Sequence, residues 1–180
     1  MINEPLPKAA DLRKLAQRGG SFDATFAVKQ LPRIAGAVFD GVGTIHAQLH
    51  LGIDEQRIRY LHGVIDCDTK LLCQRCMQAM PTKIHADVNL GIVWDEIAAK
   101  QLEKSIDPLI VAEDELMDLN EIVEDELLLN MPFVSYHAPE DCPGEQSYSF
   151  GSKETEAALE EAESEKENPF KVLEQLKRSD

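Results

Sequence analysis

Four residues of this 180-residue chain have the types and the spacing to hold a metal ion. Cys73 and Cys76 stand two residues apart at what reads as a strand end, and that spacing lets two thiolates reach one ion. His137 and Cys142 follow in a later loop as His-x4-Cys. Together the four make a tetrahedral nitrogen–sulfur set suited to a structural zinc. Two features weigh against it. Met77 follows the second cysteine, where a metal knuckle generally has Gly for its tight turn. His137 and Cys142 also fall in a stretch with Pro139, Pro143 and Gly144 that reads as mobile loop. The bland alternative is a set of reduced, partly buried thiols. A redox role for the pair is weaker still, because a thioredoxin-type pair belongs at a helix N-terminus in a βαβ unit.

Other chemistry is thin. The sequence has no Gly-x-Ser-x-Gly elbow, no phosphate-binding glycine loop and no His-Glu-x-x-His. Asp66 and Asp68 share one strand face and could in principle hold a divalent cation, but alternate wet-face positions are the simpler home for them. The same holds for His46 and His50. No catalytic residue is assigned, no small-molecule substrate is evident, and no cofactor is expected beyond a candidate structural zinc. The chain reads as a binder, not an enzyme.

Charge narrows the partner. Residues 113–126 hold eight acids and no base, and residues 153–168 hold seven Glu against Lys153 and Lys166, so two stretches carry nearly all of the net charge of −15. Residues 1–112 are neutral. This argues against coating of nucleic acid by the whole protein, because counterion release needs clustered Lys and Arg. A local basic face on the neutral part remains open, and Lys8, Arg13, Arg57 and Arg59 are its candidates. No apolar run approaches the length that spans a bilayer. The N-terminus lacks a signal-peptide layout, and four cysteines without one read as reduced thiols or ligands. The expectation is a cytoplasmic protein with no membrane partner.

The elements that must position these residues follow from periodicity. Residues 8–18 read as a helix with Pro7 in its first turn, a basic outer face of Lys8, Arg13, Lys14 and Arg18, and a stop at Gly19-Gly20. Residues 22–28 suit a strand, and a short helical turn spans 32–38. Ile45, Ala47, Leu49 and Leu51 alternate with polar residues, as a half-buried strand requires. A turn at 52–55 precedes a strand with Ile58 and Tyr60 on one side, broken near Gly63. Ile65, Cys67, Thr69, Leu71 and Cys73 then share a face. After a turn containing Pro81, Ile84 to Trp94 alternate at every second position. Residues 95–104 suit a short helix and 109–111 one more strand. Asp118 caps a helix with Leu119, Ile122, Val123 and Leu127 on one face, limited by Pro132. The sum is an α+β fold: an antiparallel meander of about four to six strands with flanking helices. The domain is expected to cover 1–152, followed by an acidic linker at 153–167 and a short helix at 168–180, where Asn168 caps and Phe170, Leu173 and Leu176 form a small apolar face.

Three segments in order carry a resemblance: Leu72-Cys73-Gln74-Arg75-Cys76, residues 118–134 (DLNEIVEDELLLNMPFV) and residues 168–176 (NPFKVLEQL). Behind an antiparallel sheet and an acidic linker, they resemble the bacterial YceD family, described as large ribosomal RNA subunit accumulation proteins. The resemblance spans nearly the whole chain. It implies a ribosome-biogenesis role in the synthesis, processing or stability of 23S ribosomal RNA, and it brings no catalytic residue with it. Partners are then ribosomal RNA or ribosome-assembly proteins. The leading expectation is an accessory factor of the large subunit that acts by binding. The alternatives are an adaptor reaching a basic protein or a nuclease through its acidic segments, and a metal-dependent RNA-processing enzyme using Asp66 and Asp68 or the cysteine cluster.

Overall fold

A computed structural model describes residues 5–112 and 114–142. The expected acidic linker at 153–167 and short helix at 168–180 lie outside the described residues.

Five strands make one sheet in the order β1 (Ser21–Ala27), β2 (Gly43–Ile53), β3 (Arg59–Leu72), β4 (Ala79–Val93) and β5 (Asp107–Ile110). The first four form an antiparallel meander. β5 departs from it and pairs parallel to the end of β4 after a crossover that contains the short helix α3 (Glu96–Ala99). Helices α1 (Leu12–Arg18), α2 (Pro32–Ala37) and α4 (Leu119–Leu129) cover one face. Beneath them lie Ala24, Ile45, Ala47, Leu49, Leu61, Ile65, Cys67, Ile84, Ala86 and Val88, all buried. The other face is open and polar. The alternation fixes the register energetically. A one-residue slip of β2 and β3 would expose Ile45, Leu49, Leu61 and Ile65, at about 2 kcal/mol each, which is comparable to the whole stability of a domain.

Two expectations about β3 change. Gly63 does not break it; the strand runs unbroken for 14 residues. A methyl group at Gly63 would sit 2.0 Å from the Gln48 carbonyl oxygen, so the glycine lets β2 and β3 approach closely instead of ending the strand. The dry face at its start is also opposite to the reading. Leu61 is buried, Arg59 shares that parity, and Tyr60 lies on the open face with its ring stacked on His62 at 4.3 Å. Pro81 belongs to β4, not to the turn, which is Cys73–Gln78. Only Leu90–Val93 pair with β5, so Pro81 sits on a stretch of β4 that has one strand neighbour, where a missing donor is tolerated.

The helices start where local chemistry lets them. α1 begins later than expected. Asp11 caps it by accepting from Lys14 N–H, Pro7 and Lys8 precede it, and Gly19 closes it with φ 70°. Lys14 is paired with Asp11 at 2.9 Å and Arg13 donates to the Ala112 carbonyl, so the expected basic face of this helix is dispersed. α4 is capped by Asp118 through Asn120 N–H at 2.8 Å. α2 has Pro32 in its first turn and no cap from its own side chains. Its free amides are met from α4: the buried Glu124 carboxylate accepts from Arg33 N–H at 2.6 Å and Ile34 N–H at 3.1 Å, while Asp125 pairs with the Arg33 guanidinium. Part of the acidic cluster is therefore a structural bolt between two helices.

Candidate functional sites at the two ends of the long hairpin

β3 and β4 form a hairpin whose ends lie roughly 40 Å apart, at about 3.3 Å per residue. At the turn end, the backbone folds back over Cys73–Gln78. Met77 N–H donates to the Cys73 carbonyl at 2.8 Å, and Cys73 N–H to the Gln78 carbonyl at 2.9 Å. The sequence raised an objection here, and the geometry answers it. Met77 adopts φ 58°, the left-handed conformation a glycine would supply, at a cost of about 1–2 kcal/mol. The turn forms without the glycine.

The loop after α4 reaches this turn. Gln74 N–H donates to the Ser135 carbonyl at 2.9 Å, and Ser135 is buried. A 3-10 turn at Pro139–Asp141 then brings Cys142 in. The part of this stretch among the described residues, up to Cys142, is pinned to the hairpin. As a result, one ligand atom from each of Cys73, Cys76, His137 and Cys142 lies within 4.8 Å of the others. Cys76 Sγ is 3.3 Å from His137 Nδ1, and His137 N–H points at Cys73 Sγ at 3.5 Å.

Arg75, between the first two cysteines, donates from Nε to Cys142 Sγ at 3.1 Å and from Nη2 to the His137 carbonyl at 3.3 Å. The thiols do not titrate alike. Burial pushes Cys73 up, but the backbone amides of Cys76, His137 and Arg75 aimed at its sulfur outweigh this and hold it down to about 5. Burial and the neighbouring Cys73 and Cys142 sulfurs raise Cys76. Cys67 lies apart in the core, where burial pushes it up to about 11. It is an inert structural thiol.

At the opposite end, a cavity of about 300 Å³ opens between the β2–β3 turn, the end of β4 and α3. Arg57, Arg59, Trp94, Gln56 and Gln101 line it. Arg57 sits at φ 67° in the turn, held by Asp54, whose carboxylate accepts from Ile58 N–H at 2.7 Å. Asp95 caps α3 through Ala98 N–H. These two nearby acids are thus engaged with backbone amides. Trp94 is more than half exposed, and the Arg59 Nε is buried without a hydrogen-bond partner. Of the four candidate basic residues, Arg57 and Arg59 meet here; Lys8 and Arg13 do not. Trp94 escaped the sequence reading because its place in the β4 alternation put it on the dry face.

The open sheet face gathers the remaining candidates without making a site of them. Asp66 accepts from His85 at 2.8 Å and Asp68 pairs with Lys83 at 3.3 Å, so each acid is spent on a cross-strand partner. His46 bonds to Asp23 and His50 to Ser21.

The family model described as "Large ribosomal RNA subunit accumulation protein YceD" matches residues 61–177, and a Haemophilus influenzae protein of that name is 32% identical over 96% of this chain and 97% of its own length. The chain belongs to the YceD family. The matched span takes in the hairpin from Leu61 on, the cysteine turn and α4, and with it the Val123–Leu127 segment quoted for the resemblance. In that segment Val123 and Leu127 are core, Glu124 caps α2 and Asp125 pairs with Arg33. No solved structure gives a significant match to the chain. The family is named for accumulation of large-subunit ribosomal RNA and not for a reaction. No helix among the described residues is long and apolar enough to cross a membrane.

Proposed function

We propose that this protein is a cytoplasmic accessory factor in large-subunit biogenesis that supports accumulation of 23S ribosomal RNA by binding RNA at the Arg57–Arg59–Trp94 cavity. The observation that carries the reading is the cavity itself. A half-exposed indole offers a stacking face for an unpaired base, and two guanidiniums beside it offer phosphate contacts. The unpartnered Arg59 Nε adds to it, since a buried donor left unmade costs about 1–3 kcal/mol. Such a site suits single-stranded or looped RNA, because a duplex hides its bases.

Crosslinking in cells with recovery of both RNA and protein tests it. Large-subunit RNA should crosslink to residues 56–59 and 94, and the joint variant R57A/W94A should lose that signal while remaining folded. Crosslinks to protein alone, or RNA crosslinks indifferent to the variant, would overturn it. A second reading, a protein adaptor, is favoured by exposed apolar side chains at the end of α4 and beyond it: Leu129, Phe133, Val134 and Tyr136. Its acidic version is weakened, because Glu124 and Asp125 are occupied within the fold. Neutralising them would loosen α2 and not simply remove a partner.

A further inference from the structure

We propose that Cys73, Cys76, His137 and Cys142 bind a structural zinc ion that fastens the β3–β4 turn to the loop following α4. The inference is independent of the RNA reading and stands on geometry. A zinc tetrahedron with bonds of about 2.0–2.3 Å has edges of about 3.3–3.8 Å. The four ligand atoms already lie within 4.8 Å of one another, and the Cys76 Sγ to His137 Nδ1 separation is 3.3 Å. Closing to full coordination needs side-chain adjustments of an ångström or so, not a rearranged backbone.

The donor set selects the metal. Three thiolates and an imidazole with no oxygen ligand suit zinc and disfavour magnesium or calcium. A multi-iron cluster spreads its ligands around a core several atoms wide, for which this grouping leaves no room. With all four positions filled by protein, no place remains for a reactive water, so the site is structural and not catalytic.

The surroundings have the features of an outer shell. Zinc with three thiolates carries one net negative charge, and Arg75 stands against it, with Nε on Cys142 Sγ and Nη2 on the His137 carbonyl. The His137 amide faces Cys73 Sγ. The turn also holds Met77 in a left-handed conformation that a non-glycine residue adopts only when its surroundings dictate it. A metal bound across the turn would supply that constraint. The ligands come from two segments, with Cys76 and His137 61 residues apart, which are joined besides by Gln74 to Ser135 and by the two Arg75 bonds.

The test uses the full chain purified without chelator. Elemental analysis should find stoichiometric zinc, and exchange with Co²⁺ should give the visible bands of tetrahedral cobalt with thiolate ligands. C76S and C142S should lose the zinc and the cobalt bands, H137C should retain them, and C67A, away from the cluster, should behave as the parent. Protein free of metal as purified that gives no tetrahedral bands with Co²⁺ would overturn the proposal, whatever the variants do. So would C76S/C142S protein that keeps its full complement of zinc.

Discussion

The two ends of the β3–β4 hairpin are built on the same pair of strands and differ in what they leave unfinished. At the turn end polar groups find partners inside the chain: amides on carbonyls, an amide on Cys73 sulfur, Arg75 on Cys142 and His137. At the far end an arginine Nε is buried without a partner and an indole stands exposed. Inward satisfaction belongs to parts that hold a fold together, and unmet donors beside an exposed aromatic belong to parts that receive something. On the proposed reading, the contrast separates stability from recognition along one ribbon.

The largest effect should come from breaking the satisfied end. Stripping metal with chelator, or making C76S, should lower thermal stability by several degrees or more, since structural zinc contributes its binding free energy to folding. Affinity for RNA of the protein that remains folded should hold. Calorimetry beside a binding titration checks this, and an RNA affinity that falls in step with metal content would dissolve the contrast. Next is G63A, midway along the ribbon. Its methyl group would meet the Gln48 carbonyl, force β2 from β3 and cost about 1–3 kcal/mol by chemical denaturation. A neutral result would mean the two strands lie farther apart than described.

Of similar size but opposite in kind is W94A. It should weaken RNA binding by about 1–3 kcal/mol, the worth of one stacked base, with the denaturation midpoint unchanged. R57A should flatten the salt dependence of binding by about one unit of log–log slope. If W94A instead unfolds the protein, the indole is core and the open end is misread. The smallest effect is on the sheet face between the ends. His85 is raised by its hydrogen bond to Asp66. A raised histidine favours the fold most below its ordinary value near 6.5 and loses that contribution as pH climbs through the folded value. Both side chains are exposed, so the gain is slight and is best read by NMR titration. In D66N the His85 titration should fall back towards its ordinary range.

Much of this was legible in the residues. The alternation in β2 and β4, the Asp118 cap and the apolar face of α4 translate directly into structure, because period and capping are local properties. The cysteine and histidine spacing named four residues that the fold brings together. What escaped depends on distant neighbours. Gly63 looked like a break because close strand approach is visible only once β2 lies beside it. Tyr60 reads as dry because the charged Arg59 reads as wet, whereas at the strand end Arg59 shares the buried side with Leu61. The parallel pairing of β5 cannot be told from an antiparallel one in a four-residue strand. Glu124 read as one more acid in an acidic run because its Oε1 accepts from amides 90 and 91 residues earlier.

That last contact sets an order of events during synthesis. The residues of α2 leave the ribosome long before Glu124 does, so the nascent helix waits with bare amides at its first turn. Four strands can be paired by residue 93, yet the part of their greasy side that α4 covers stays bare until that helix emerges and docks. The interval between those moments is when the growing chain is most exposed to wrong partners, and a single late carboxylate helps to bring it to an end.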